Sequence, residues 1–412
     1  MNLHMTVLCD VLDGTRGRLT DRVGLGVLTR VIPRDLVDEV LNTTGKNEQR
    51  KRLLPARVVV YYVLALTLFY GDAYEEVLQE LVNGLRFLRS WRSEWSVPTT
   101  GAISKARDRL GSEPLKELFL RVAQPIAVEP TPGAWYRRWR VMAIDGVVLD
   151  VPDTPENVDR FGKSEHRGGT SAFPQVRVVG LAECGTHAMV AAALDSWRIY
   201  ERALVERLLP QFQPHMLVLA DRGFFSYELW KHAAGTGAAL LWRVKSSVRL
   251  PVLDQLPDGS YRSELLPARL KTDLNRGMKR RVPDGVRIPV RVVEYRILNR
   301  DAPETIRLIT TLADHRQCPA VQLAALYAER WEFEVGLDEI ETHQIANGRV
   351  LRSKKPDLVE QEIWALLLTH YAIRHLMHEA ADDIGMDEDR LSFVRSLRVV
   401  RRSIVNDGDF SP

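Results

Sequence analysis

Cysteine is scarce in this 412-residue chain. Only Cys9, Cys184 and Cys318 are present, and no two of them have the spacing of a metal or redox pair. A disulfide framework is therefore excluded, and an odd count fits a reducing cytoplasm. The opening MNLHMTVLCD lacks a basic stretch followed by an apolar run, so it does not read as a secretory leader. The most apolar stretch, 58–69, is too short to span a bilayer and reads as a buried helix. Internal repeats and low-complexity tracts are absent. Excess charge of one sign is absent too, the formal net charge being only +3. With 45% apolar and 27% charged residues, the composition is that of a globular protein with a sizeable core.

The basic residues are unevenly placed. They cluster at Lys46/Arg50/Lys51/Arg52, Lys105/Arg107/Arg109, Arg137/Arg138/Arg140, Lys279/Arg280/Arg281, Arg349/Arg352/Lys354/Lys355 and Arg398/Arg401/Arg402, whereas acids gather at 382–389. Such separation suits a surface that tracks phosphates, although any single cluster is equally readable as a solvated face. Residues 1–128 read as a helical domain, with apolar positions at helical spacing in 35–41, 56–69 and 74–85. Within it, 98–111 combines helix-start chemistry with a basic face carrying Lys105, Arg107 and Arg109. That pattern is either a recognition helix or a basic surface helix.

A linker at 129–133 introduces a different pattern. Strands are expected at 140–151, 175–181, 187–194, 216–220 and 238–244, and helices at 200–209 and 226–234, which makes 134–380 a layered α/β domain. Turn residues crowd 246–304, which reads as a mainly β insertion. The sheet resumes at 306–312. Long helices are expected at 319–341 and 358–379, with a basic tail over 381–412.

Three carboxylates stand out. Asp145 lies in an apolar strand before Gly146, and Asp221 ends another strand before Arg222-Gly223. Strand ends are where sites form in such sheets. Glu334 lies on the expected helix, where Tyr327, Arg330, Glu334 and Glu341 share one face at a period of about 3.6. Carboxylates suit hard divalent cations, and two such ions about 3.5–4 Å apart can serve both oxygens of a phosphodiester displacement. Individually, each aspartate also reads as a turn residue, and Glu334 as the partner of an Arg330 ion pair.

Tyr327-Ala-Glu-Arg-Trp-Glu-Phe-Glu334 resembles the YREK signature of insertion-element-four-type transposases, in which Tyr, Arg and Glu recur at this spacing. Ala143-Ile-Asp-Gly-Val and Leu219-Ala-Asp-Arg-Gly-Phe-Phe resemble that family's two aspartate blocks, and 20–125 resembles its N-terminal domain. The resemblance implies an α/β, ribonuclease H-like core with a helical N-terminal domain and an inserted β subdomain. It implies Asp145, Asp221 and Glu334 as catalytic ligands of Mg²⁺, with Mn²⁺ substituting. Tyr327 and Arg330 would hold DNA backbone, with Lys105, Arg107, Arg109, Lys354 and Lys355 as further DNA contacts. The implied partner is double-stranded DNA, both element ends and target, handled by a homodimer at the nucleoid. Related enzymes stack a flipped base on a tryptophan near the insertion. Trp242 lies close to that region but also reads as a core residue.

Two features depart from the family. Glu341 stands where the signature has lysine, and a glutamate there repels phosphate unless it turns away or binds metal. The C-terminus is short for the family. They leave open a DNA-binding copy without turnover, acting as a repressor, and the carboxylates alone leave open a structure-selective nuclease. A two-carboxylate glycosidase is opposed by the basic clusters and the Tyr/Arg helix face.

Overall fold

A computed structural model describes residues 26–47, 54–83, 98–129, 131–166, 169–267, 270, 283, 285–297, 304–345 and 349–406. Cys9, the basic runs 50–52 and 279–281, and parts of the expected insertion lie outside the described residues.

The fold begins with helices: α1 (Arg34–Thr43), α2 (Ala56–Leu68), α3 (Tyr74–Asn83), α4 (Thr100–Leu110) and α5 (Glu113–Val122). Every residue of α2 from Val58 to Leu68 is buried. A helix that is apolar all round needs neighbours on every side. The strands are β1 (Trp135–Tyr136), β2 (Trp139–Asp150), β3 (Glu165–His166), β4 (Gly169–Thr170), β5 (Gln175–Glu183), β6 (Met189–Ser196), β7 (Met216–Ala220), β8 (Ala239–Arg243), β9 (Asp254–Gln255), β10 (Tyr261–Leu265), β11 (Ile288–Ile297) and β12 (Glu304–Thr310). Between and after them come α6 (Pro155–Phe161), α7 (Glu201–Leu208), α8 (Tyr227–Gly235), α9 (Ala320–Leu326), α10 (Arg330–Asp338), α11 (Pro356–Asp383) and α12 (Phe393–Asn406).

One mixed sheet organises the molecule, in the order β6-β5-β2-β7-β8-β12-β11-β10-β9. β2, β7 and β8 are parallel at its centre, with antiparallel strands on both sides. Alternate side chains enter two different cores. Val141, Ala143, Leu217, Leu219 and Leu241 join the core shared with α2, α5 and α11. Met142, Ile144, Val218, Ala220, Leu240 and Trp242 join the core beneath α7 and α8. Coverage on both faces explains why these strands read as continuous apolar runs rather than alternating ones.

Three expectations change. The strands read as a separate inserted subdomain extend the main sheet instead, because β12 pairs with β8 and β11 pairs along the length of β12. The expected helix 319–341 changes pitch twice. A 3₁₀ turn at Tyr327–Glu329 joins α9 to α10, and a π-helical turn covers Glu339–Gln344. Within the segment read as a tail, 393–406 forms α12, which packs against α3, α11 and the 3₁₀ turn Gly26–Arg30. No helix among the described residues is long and apolar enough to cross a membrane.

A buried arginine fastens the helical layer. α4 is capped by Thr99, whose hydroxyl oxygen accepts from Ala102 N at 3.3 Å. Its buried face is Ile103, Ala106, Arg107 and Leu110. Arg107 is 1% exposed. It donates to Gln361 Oε1, Tyr74 Oη and Ser353 Oγ at 2.9 Å each, and to the Leu358 carbonyl at 3.3 Å. Removing it strands several buried acceptors, so Arg107→Ala should lower unfolding free energy by about 3 kcal/mol. Arg109→Ala, at an exposed position of the same helix, should cost under about 0.5 kcal/mol. Chemical denaturation of both variants measures the contrast, and equal losses would contradict it.

Candidate active site

The parallel strands set three charged residues in a row. Ile144 pairs with Ala220, and Ala220 pairs with Trp242. The next residue on each chain is therefore Asp145, Asp221 or Arg243, at one level across three neighbouring strands about 4.8 Å apart. Since Ile144, Ala220 and Trp242 face the core under α7 and α8, alternation turns their successors toward the opposite layer. That layer holds the run α9–α10. Gly146 lets the neighbouring strand close in beside Asp145: a Cβ there would lie 3.1 Å from the Val178 carbonyl oxygen.

Arg330 is buried, 4% exposed, between two of the carboxylates. One of its terminal nitrogens lies 3.0 Å from Asp145 Oδ2 and 2.7 Å from Glu334 Oε1. Its guanidinium also packs near the rings of Trp331 and Tyr327. Tyr327 donates from its hydroxyl to the Ala220 carbonyl and to Asp221 Oδ1, both at 3.4 Å. Burial and the nearby Asp221 push its phenol up, so it stays protonated. Arg243 approaches Asp221 at 3.7 Å and pairs with Glu304. Arg243 was missed in the sequence. Its signal was the end of a strand adjacent to that of Asp221, visible only once strand order is known.

Asp145 is the perturbed acid. Burial pushes its pKa up to about 6; the Gly146 backbone N–H and Arg330 pull it down, while Glu334 and Asp221 push it up. The donor set consists of carboxylate oxygens, as a hard divalent cation prefers. Among the described residues no group of three or more His, Cys, Asp or Glu is arranged to hold a metal ion. The guanidinium of Arg330 stands between Asp145 and Glu334.

The other sequence candidates separate by exposure. Lys105, Arg109, Lys354 and Lys355 are exposed. Lys355 pairs with Asp108 at 2.7 Å, which joins the start of α11 to α4. Arg107 is corrected: its guanidinium is spent inside the fold and does not face solvent, so it is not a DNA contact. Trp242 is fully buried and meets Trp230 edge-on at 5.3 Å, as a core residue does. Glu341 falls in the π-helical turn and is exposed.

Comparison with known proteins agrees across most of the chain. The family model for the insertion element 4 transposase N-terminal region matches residues 22–120, and that for the transposase DDE domain matches residues 138–371. Over 381 residues the chain is 29% identical to the transposase InsG for insertion sequence element IS4 of Escherichia coli K12, covering 92% of this chain and 82% of that protein. Among solved structures, the piggyBac transposase in a synaptic complex with hairpin DNA aligns with a TM-score of 0.49 at 10% identity, over 96% of this chain and 83% of that one.

The Asp145 shift fixes a sign. Its native pKa lies above the unfolded value near 3.8, so the native state keeps the proton longer. Stability from this group is complete below about pH 4 and is lost as pH rises through about 6. In the metal-free protein, Asp145→Asn should therefore gain about 1–2 kcal/mol relative to the wild type between pH 4 and pH 7.5. Denaturant unfolding at the two pH values reads the difference. A gap that stays constant with pH would overturn the assignment.

Proposed function

Because this chain belongs to the DDE-domain transposases of the insertion-element-four type, we propose that it binds the terminal inverted repeats of its element and catalyses Mg²⁺-dependent strand cleavage and strand transfer. The observation that carries this reading is the meeting of Asp145, Glu334 and Arg330 at the end of the parallel strands, with Asp221 in the same row. Carboxylates at the level where the parallel pairing ends in a mixed sheet, with an acid supplied by a facing helix, support a ribonuclease H-like core.

In this reading Asp145, Asp221 and Glu334 hold the divalent ions. Bound there, the ions supply charge neutralisation for the attacking and leaving oxygens of an in-line displacement. The chain's own groups do the rest. Arg330 has a planar fork of donors suited to a phosphate, and an incoming DNA backbone offers it a new partner in place of Asp145 and Glu334. Tyr327, held as a neutral phenol, fixes the orientation of Asp221. Arg243 tempers the negative charge at that carboxylate. Lys105, Arg109, Lys354 and Lys355 lie exposed around α4 and the start of α11, where they lend positive charge for DNA backbone. The protein acts as a homodimer on paired ends.

The test uses purified full chain, Mg²⁺ or Mn²⁺, and duplexes carrying the inverted repeats that flank its gene. Wild type should cut at the repeat ends and join the cleaved 3′ end to target DNA. Asp145→Asn, Asp221→Asn and Glu334→Gln should each lower cleavage at least about 10³-fold, roughly 4 kcal/mol of barrier, with end binding retained. Joining without sequence preference for the repeats, or undiminished cleavage by Asp145→Asn, would refute the proposal. End binding without any cleavage would identify a repressor-like copy, the reading that Glu341 favours.

A further inference from the structure

One basic cluster stands apart from the carboxylates and from α4. In the hairpin β1–β2, Trp135 pairs with Arg140 and Tyr136 with Trp139, which leaves Arg137 and Arg138 as a two-residue turn. Such turns demand positive φ and favour Asn or Gly. Arg137 nevertheless adopts φ 56°. A side chain in that left-handed region costs about 1–2 kcal/mol. Residues held this way against backbone preference concentrate at functional sites.

The turn is stiffened by rings. Tyr136 and Trp139 lie nearly parallel, 6.5 Å apart and 14° from coplanar. Arg138 lies over Trp139 at 4.6 Å, and Arg137 near Tyr136 at 5.6 Å. Gln322 of α9 fixes the tip, accepting from Tyr136 Oη at 3.1 Å and Arg137 Nη2 at 3.2 Å. Arg140 is different. Its guanidinium is neutralised inward by the buried Glu183. Arg137 and Arg138 remain exposed, and no carboxylate among the described residues forms an ion pair with either.

We propose that the Arg137–Arg138 turn is a contact for the sugar-phosphate backbone of duplex DNA. The proposal rests on the transposase reading above. Position supports it, because α9 runs from Gln322 directly into Tyr327 and Arg330. Eight residues of helix separate Gln322 from Arg330, about 12 Å. That is the axial length of three to four base pairs. A duplex held at Arg330 and lying along this helix therefore meets the tip within half a turn. Two ring-backed guanidiniums give a planar, preorganised pair of phosphate donors, and contacts of this kind carry no base sequence.

Salt dependence reads the contact directly. Binding of the full-length protein to a 40-base-pair duplex of mixed sequence is followed by fluorescence anisotropy across a range of NaCl concentrations. Loss of two phosphate contacts should reduce the magnitude of the log–log salt slope by close to 2 in the Arg137→Gln/Arg138→Gln variant. The Arg137→Lys/Arg138→Lys variant should keep the wild-type slope. Arg137→Gly relieves the backbone strain, so it should melt no lower than wild type yet show a slope smaller by about 1. A merely structural turn would leave the slope unchanged. The proposal fails if the double Gln variant melts like wild type and keeps the full salt slope. If wild type itself does not bind the duplex, the transposase reading fails, and this proposal with it.

Discussion

Three carboxylates crowd one end of a buried parallel sheet, and the guanidinium of Arg330 is what makes that arrangement tolerable. Asp145 and Asp221 occupy the same level on adjacent strands. Glu334 is brought down on them by α10. Burial raises the pKa of Asp145, and the like charges of Glu334 and Asp221 add to the rise. Arg330 offsets part of it by touching Asp145 and Glu334 at once. An arginine that is itself buried costs desolvation, so each side of this bridge needs the other. The same contact ties helix to sheet, since Arg330 and Glu334 come from α10 and Asp145 from β2.

The far side of that helix is fastened just as firmly. Glu339, at the start of the π-helical turn, accepts from His370 Nε2 and Arg374 Nε at 2.9 Å each. Burial opposes its ionisation, yet the His370 hydrogen bond and the Arg374 charge hold its carboxyl below the usual glutamate range. Arg374 reaches on to His187 Nδ1 at 2.6 Å and Glu388 at 3.4 Å. The bend after β5, α11 and the turn before α12 are thereby linked to the element that carries Glu334.

What could be read from the sequence follows from locality. Asp145 and Asp221 were visible because each follows a run of apolar residues, and Glu334 because Tyr327 and Arg330 precede it at helical spacing. Arg107 was misjudged although its signal was present. Ile103, Ala106 and Leu110 lie four and one residues before it and three after, on the buried face, so a helical wheel turns it inward with them. Arg243 and the extension of the sheet beyond β12 through β11 were hidden for a different reason. Both depend on which strand lies beside which, a non-local fact that turn residues and periodicity do not encode. The 3₁₀ and π-helical turns were hidden too, because they arise from packing on the sheet and on α11 rather than from residue propensity.

Those changes of pitch are consistent with a helix held on two sides. At about 100° per residue, Glu339 lies roughly opposite Arg330 around the axis. Arg330 faces the carboxylates on β2, while Glu339 faces His370 and Arg374 on α11. A uniform α-helix has one fixed phase between two such faces. The stretch Arg330–Asp338 between the two changes of pitch is regular α-helix, and that phase lets each charged residue meet its own partner. The sheet then sets where Asp145 and Asp221 sit, and α11 sets where the helix bearing Glu334 sits. The geometry of the three carboxylates is thus a property of the whole packed layer rather than of any loop.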